Sequence, residues 1–325
     1  EILMSGRQTD RIEQMTPESR RFPANMSFVG KEAYCFSADI LPTGAEPPRN
    51  LGKNQLAELL DKLSDRDFEI LISLKYAKYL LTGQIKRLHF SESPKPQVGM
   101  RSTTRNMFKL KEYGLVKTFE RRIGGIRAGS ASYIWCLTEP GQRLLDLHHG
   151  EYNPRRTRSH RYLEPSYVHI RHTLAIAECY VQLVEISRKH RKIVFTQVEW
   201  EPDCWRPFQH KGHDIQLKPD LFAVTYNDGY EDRWFIEIDL STEAMSVVMD
   251  KCKRYHQYLN SGIEQRQHKG VFPITVWIVP DEQRKQKMIE AIKETFKKAP
   301  SMFAVITAEE FEELIRSGAS DVTLY

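Results

Sequence analysis

The stretch that decides the fold is residues 217–255, LKPDLFAVTYNDGYEDRWFIEIDLSTEAMSVVMDKCKRY. LKPDLFAVTY and RWFIEIDL are rich in β-branched and aromatic residues, and Asn227-Asp228-Gly229 between them is a hairpin turn signal. Asp220 follows Pro219 at the start of the first strand. Glu237 and Asp239 stand two apart near the end of the second, so their side chains share one face. An antiparallel hairpin brings Asp220 beside that pair. The helix that follows carries a row Ala244, Val247, Lys251, Tyr255, Tyr258 at three- and four-residue steps, in which Lys251 interrupts an apolar line. A half-buried ammonium there needs an acidic neighbour or a phosphate.

Working outward, SYVHIRHTLAIAECYVQLVEISRKH, about 166–190, reads as a long helix, with Glu178 on the row of Leu174 and Val181. IVFTQVEWE is a strand ahead of the hairpin. FPITVWIVP is a nearly continuous apolar strand after the helix, of the kind buried on both faces. An amphipathic helix, a short strand around 303–306 and a closing helix end the chain. The order is α-β-β-β-α-β, with helices to cover the sheet. Converging carboxylates of Asp220, Glu237 and Asp239, with Glu178 as a candidate fourth, make a hard-oxygen site suited to Mg²⁺ or Mn²⁺. Solvated acids at a sheet edge are the plainer reading, but Trp234, Phe235, Ile236 and Ile238 set these acids in an apolar strand.

The N-terminal half is different. Residues 1–160 hold 26 Lys and Arg against 18 Asp and Glu, and the remainder 22 against 25. Ser64 with Asp67 caps a predicted helix over about 64–80, a short helix follows Thr82, and a third runs from about Ser102 to Tyr113, stopped by Gly114. The segment SESPKPQVG before it is expected to be non-helical. LVKTFERR and SYIWCLT are strands joined by IGGIRAG, and GQRLLDLHH is a helical tail. Three helices and a basic-tipped hairpin form a winged-helix pattern, in which the third helix enters a major groove while the wing grips the flanking backbone. The candidate DNA contacts are Arg101, Arg105, Lys109, Lys111, Arg121, Arg122 and Arg127, with Arg155 and Arg156 in the linker. A winged helix can instead assemble proteins. The expected organisation is an extended arm over 1–50, a winged helix over 51–147, a basic linker over 148–164 and an α/β domain over 165–325.

Composition narrows the classes. The chain of 325 residues is 40% hydrophobic and 28% charged, an ordinary globular balance, and is long enough to expect two domains. No apolar run approaches a membrane span, and the opening EILMSGRQTDRIEQM is not patterned as a signal peptide. Five scattered cysteines without a CxxC pair argue against a disulfide framework and a zinc site, and for a cytoplasmic setting. There is no Walker loop, no GxGxxG after a strand and no HExxH; His169/His172 and His210/His213 are read as surface or satisfied histidines.

PDLF…FIEID…K on α-β-β-β-α-β resembles the PD-(D/E)xK nuclease superfamily, the restriction-endonuclease-like fold. More closely, residues 60–298 resemble the replication-relaxation family of mobile plasmids, through LSDRDFEILISL, LTGQIKRLHF, RNMFKLKEYGLV, KPDLFAV and FIEIDLSTE. That family includes proteins similar to the MOBC class of conjugative relaxases, which join a winged helix to a nuclease-like domain. The resemblance implies an α+β protein that nicks duplex DNA at a transfer or replication origin with Mg²⁺ or Mn²⁺, with single-stranded DNA and other transfer or replication proteins as further partners. Asp220 matches the first acid of the motif and Glu237 the second. Asp239 stands where the motif has Lys, a residue that superfamily members can supply from the next helix, where Lys251 lies. The alternative is a nuclease scaffold that has lost catalysis and only binds DNA.

Overall fold

Ser64 shows how local chemistry starts the N-terminal fold. In the computed structural model, which describes residues 8–9, 51–92, 95–123, 132–151, 165–297 and 300–325, Ser64 caps the helix Asp65–Ala77, α2. Its N–H donates to Asp67 Oδ2 at 2.8 Å, and the Asp67 N–H returns to Ser64 Oγ at 3.4 Å. Asp67 is fully buried and accepts two further bonds, from Asn106 Nδ2 and Lys109 Nζ, each at 2.7 Å. Burial alone would raise its pKa; the Lys109 ammonium and the Ser64 donors outweigh that and hold it below the usual carboxylate value. Asp67 therefore caps one helix and anchors another. Asp67→Ala removes a cap acceptor and the partner of an ion pair at once, and lowers the stability of this unit by about 3 kcal/mol in urea unfolding.

The elements of this unit run α1 (Lys53–Leu60), α2 (Asp65–Ala77), β2 (Leu80–Leu81), α3 (Thr82–His89), α4 (Pro96–Glu112), β3 (Val116–Ile123), β4 (Ser132–Leu137) and α5 (Glu139–His148). The strands form a sheet in the order β2-β4-β3. Trp135, Leu71, Leu74, Ile85, Met107 and Leu110 fill the core. The expectation that SESPKPQVG excludes helix is corrected: α4 begins at Pro96. A proline in the first helical turn forfeits no intrahelical hydrogen bond, and its fixed φ suits that place. Helix α1 was not foreseen, since eight residues with two buried leucines carry too little periodicity.

Helix α6 (Tyr167–Lys189) carries the chain onward, and by packing the described residues fall into two units whose boundary lies inside it, between Val181 and Gln182. The boundary expected over 148–164 falls largely outside the described residues.

The C-terminal unit holds β5 (Ile193–Trp200), β6 (Arg206–His210), β7 (His213–Leu217), β8 (Leu221–Asn227), β9 (Tyr230–Ile238), α7 (Met245–Ser261), α8 (Ile263–Gln267), β10 (Ile274–Val279), α9 (Glu282–Thr295), β11 (Phe303–Thr307) and α10 (Phe311–Ser317). The main sheet has the order β11-β10-β9-β8-β5. β8 pairs antiparallel with both β5 and β9, whereas β9, β10 and β11 are parallel. Every residue of β10 is buried, as its unbroken apolar run requires. Of the N-terminal arm, Gln8–Thr9 form β1 and pair with β9 at Tyr230 and Glu231. Phe222, Phe235, Tyr255, Tyr258, Phe272 and Phe303 dominate the core. The separate hairpin β6–β7, turning at Lys211 and Gly212 with φ of 49° and 78°, was not foreseen. Among the described residues no helix is long and apolar enough to cross a membrane.

Candidate functional site

Register places the two acids. Leu221 pairs with Ile236, so one residue before β8 Asp220 comes level with Glu237. Asp220 Oδ2 accepts the N–H of Ile238 at 2.8 Å, which fixes one of its oxygens and leaves Oδ1 facing Lys251 at 3.5 Å. Glu237 is fully buried, flanked by Trp277 on β10. Lys251 Nζ donates to Glu237 Oε2, and one helical turn on the Tyr255 hydroxyl donates to Glu237 Oε1. The same ammonium lies 5.8 Å from the centroid of the Trp277 ring. Two strand ends and one helix thus supply two carboxylates, an ammonium and a phenol.

Burial pushes the Glu237 carboxyl up to about 8, against the pull of the Lys251 ammonium, and Asp220 adds to the upward push. Lys251 moves the other way from what burial dictates: desolvation works against its charge, but Asp220 and Glu237 hold its pKa above the usual lysine value. The Tyr255 hydroxyl is raised well above its usual value by burial and by Glu237. The site therefore sets a positive charge beside a buried acid whose proton is held more tightly than usual.

Asp239 does not join this group. Its Oδ1 accepts the Ser241 N–H at 2.8 Å and its Oδ2 the Arg284 Nε at 2.5 Å, while Arg284 also donates to the Glu243 carbonyl at 3.0 Å. Glu178 is engaged elsewhere, accepting from Arg87 at 2.5 Å and from Gln84 at 3.0 Å. Among the described residues no three His, Cys, Asp or Glu side chains cluster as an ion-binding group.

Of the expected DNA contacts, Arg101 and Arg105 are exposed one turn apart on α4. Lys109 is committed to Asp67, and Lys111 donates to Thr118 Oγ1 at 3.3 Å with its ammonium 5.9 Å from the Phe108 ring centroid. Arg121 and Arg122 lie on β3. Arg127, Arg155 and Arg156 lie outside the described residues. Sequence reasoning missed Tyr255 as a site residue because an apolar row hides a hydroxyl, and missed Arg284, whose partner is 45 residues away.

No curated protein and no solved structure matches the chain. A family model described as Replication-relaxation matches residues 71–275. The matched span begins within α2 and ends within β10, and so takes in Asp220, Glu237, Lys251 and Tyr255. A match over well more than half of the sequence carries the assignment: the chain belongs to the replication-relaxation family, which points to a role in plasmid replication or transfer.

Proposed function

We propose that the chain recognises a duplex site with a winged-helix N-terminal unit and nicks one strand near it with a restriction-endonuclease-like C-terminal unit, by metal-dependent phosphodiester cleavage. The observation that carries this reading is the meeting of Asp220, Glu237 and Lys251 where β8 begins, β9 ends and α7 passes. Two carboxylates fit a divalent cation that keeps most of its shell as water and phosphate oxygen, the habit of Mg²⁺. Asp220 and Glu237 would hold Mg²⁺ or Mn²⁺, which when bound supplies an activated water and stabilises phosphate charge.

The chain's own residues do the rest. The Ile238 N–H orients Asp220, and Tyr255 pins Glu237 Oε1 so that Oε2 is the oxygen presented toward Lys251. Lys251 then shifts its ammonium from carboxylate to phosphate as charge develops there. Glu237 must lose its proton before it can take a cation, and burial holds that proton, so at sub-saturating Mn²⁺ the nicking rate rises with pH through the neutral range. A pH–rate profile of the full chain at fixed Mn²⁺ checks this; a flat profile between pH 6 and pH 8 would contradict it.

On the N-terminal unit, the exposed pair Arg101 and Arg105 positions the duplex. Replacing both by Ala weakens duplex binding several-fold and makes its salt dependence shallower by about one unit of log–log slope per lost phosphate contact. Salt titration of affinity by the full chain measures both effects.

A second reading has one observation in its favour. The Lys251 ammonium faces both acids at once, as in a scaffold that keeps the nuclease frame only to bind DNA. Supercoiled plasmid bearing the element's origin, incubated with the full chain and Mg²⁺, Mn²⁺ or EDTA, separates the two. Open-circular product that depends on metal supports catalysis, and its absence supports binding alone.

A further inference from the structure

Hairpin β6–β7 interrupts the path from β5 to β8, and its return strand delivers Lys218 two residues ahead of Asp220. Its root is rigid. Arg206 donates to Glu199 at 2.7 Å and to Glu264 at 2.8 Å, with its guanidinium 4.9 Å from the Phe222 ring centroid. Phe208 and Leu217 are buried in the core. The Cys204 thiol donates to the Pro219 carbonyl at 3.0 Å, tying the residue before Trp205 to the residue before Asp220.

Trp205 is exceptional among the five tryptophans. Trp135, Trp200, Trp234 and Trp277 are buried, whereas Trp205 is partly exposed at the margin of the core. The exposed Lys218 places its ammonium 4.3 Å from the centroid of the Trp205 ring. Lys211 stands exposed at the turn of the same hairpin. A partly exposed indole, its Nε1 buried against the core, with an exposed cation beside its ring joins the two elements that read a nucleotide without regard to sequence: an aromatic face for the base and a positive charge for the phosphate.

We propose that Trp205 and Lys218 form a subsite for one nucleotide of single-stranded DNA, flanking the Asp220–Glu237–Lys251 group. The base stacks on the indole and Lys218 swings from the ring to its phosphate. A base inside a duplex has both faces covered by its neighbours, so the subsite selects an unpaired strand. The proposal rests on the phosphodiester reading given above, and it assigns the substrate a single-stranded segment beside the cleavage point.

The test is a fluorescence titration of the full chain with an oligothymidylate in EDTA, where no cleavage intervenes. Wild type binds with saturable quenching of tryptophan emission. Trp205→Leu keeps an apolar side chain against the core, loses the quenching and binds roughly ten-fold more weakly. Trp205→Phe keeps a stacking face and retains most of the affinity. Lys218→Gln reduces the slope of log affinity against log salt by about 0.7. No binding by wild type overturns the proposal, as does unchanged quenching in Trp205→Leu or an equal loss in the Leu and Phe variants. Equal quenching by the matching duplex overturns the preference for a single strand. Nicking of supercoiled plasmid in Mn²⁺ is read separately: its absence with intact stacking removes catalysis and leaves the subsite, and the converse result removes the subsite alone.

Discussion

Glu237→Gln abolishes metal-dependent nicking and also changes how stability depends on pH. The first effect follows from the loss of one of the two carboxylates that would hold the proposed cation, the one whose Oε2 meets Lys251. The second follows from burial. The folded-state pKa of Glu237 is raised from 4.5 to about 8, so the folded protein holds this proton more tightly than the unfolded chain does. Its contribution to stability is fully present below about 4.5 and is lost as pH rises through about 8. At about 1.4 kcal/mol for each pH unit between the two titrations, the loss is on the order of a few kcal/mol. The Gln variant keeps an acceptor for Lys251 but has no proton to lose, so its urea midpoint lacks the decline between pH 5 and pH 8 that Glu237 imposes on wild type. Nicking at the wild-type rate by Glu237→Gln would place the chemistry elsewhere. Parallel stability curves for the two proteins would show that Glu237 is not the titrating group.

Lys251→Ala slows nicking by on the order of 10²–10³, the usual cost of removing one fixed electrostatic stabiliser. Asp239 is an anion already paired with Arg284, so it offers no positive charge to replace the one lost. Lys251→Arg keeps the charge with a different reach and recovers only part of the rate. Lys251→Met keeps an unbranched apolar stem but strands two carboxylates without their cation. Breaking such a buried pair costs about 3–5 kcal/mol, less whatever Glu237 regains by taking up a proton. Mn²⁺ therefore raises the melting temperature of Lys251→Met more than that of wild type, because the metal enters a place the ammonium has vacated. A Met variant that nicks as fast as wild type would reject the catalytic role and favour the reading in which the fold only binds DNA.

Much of this frame was legible in the sequence, and for definable reasons. Asn227-Asp228-Gly229 fixes a tight turn, and once the turn is fixed the register brings Asp220 to Glu237. Lys251 could be read because it breaks an apolar helical row. The same row misled at its start: Ala244 and Val247 are exposed, since periodicity records which way a side chain faces and not where the surface beneath it ends. Asp239 shares a face with Glu237 by spacing, but it lies beyond the last residue of β9, where the backbone turns at Ser241 with φ of 57° and strand alternation no longer governs direction. Lys109 stands out in the sequence only as one charge of a basic helix; its ion pair with Asp67 depends on a pairing across 42 residues that local spacing does not show. The strands of hairpin β6–β7 are short and largely solvated, so they give no apolar signal.

The sheet's mixed pairing has a consequence for the order in which the chain folds. β8 and β9 close across an immediate turn, so Asp220 and Glu237 meet through contacts that form locally and early. β10 pairs with β9 in parallel, and that pairing must wait for the whole of α7 and α8 to cross over. Closing such a connection carries an entropic cost before any contact rewards it, which makes parallel strands late arrivals. Lys251 and Tyr255 ride on that crossover, and Trp277 arrives only with β10. The carboxylates therefore come together in water and remain hydrated until the crossover helix docks and seals them, and a nascent chain acquires its acids well before it acquires the cation that makes their burial tolerable.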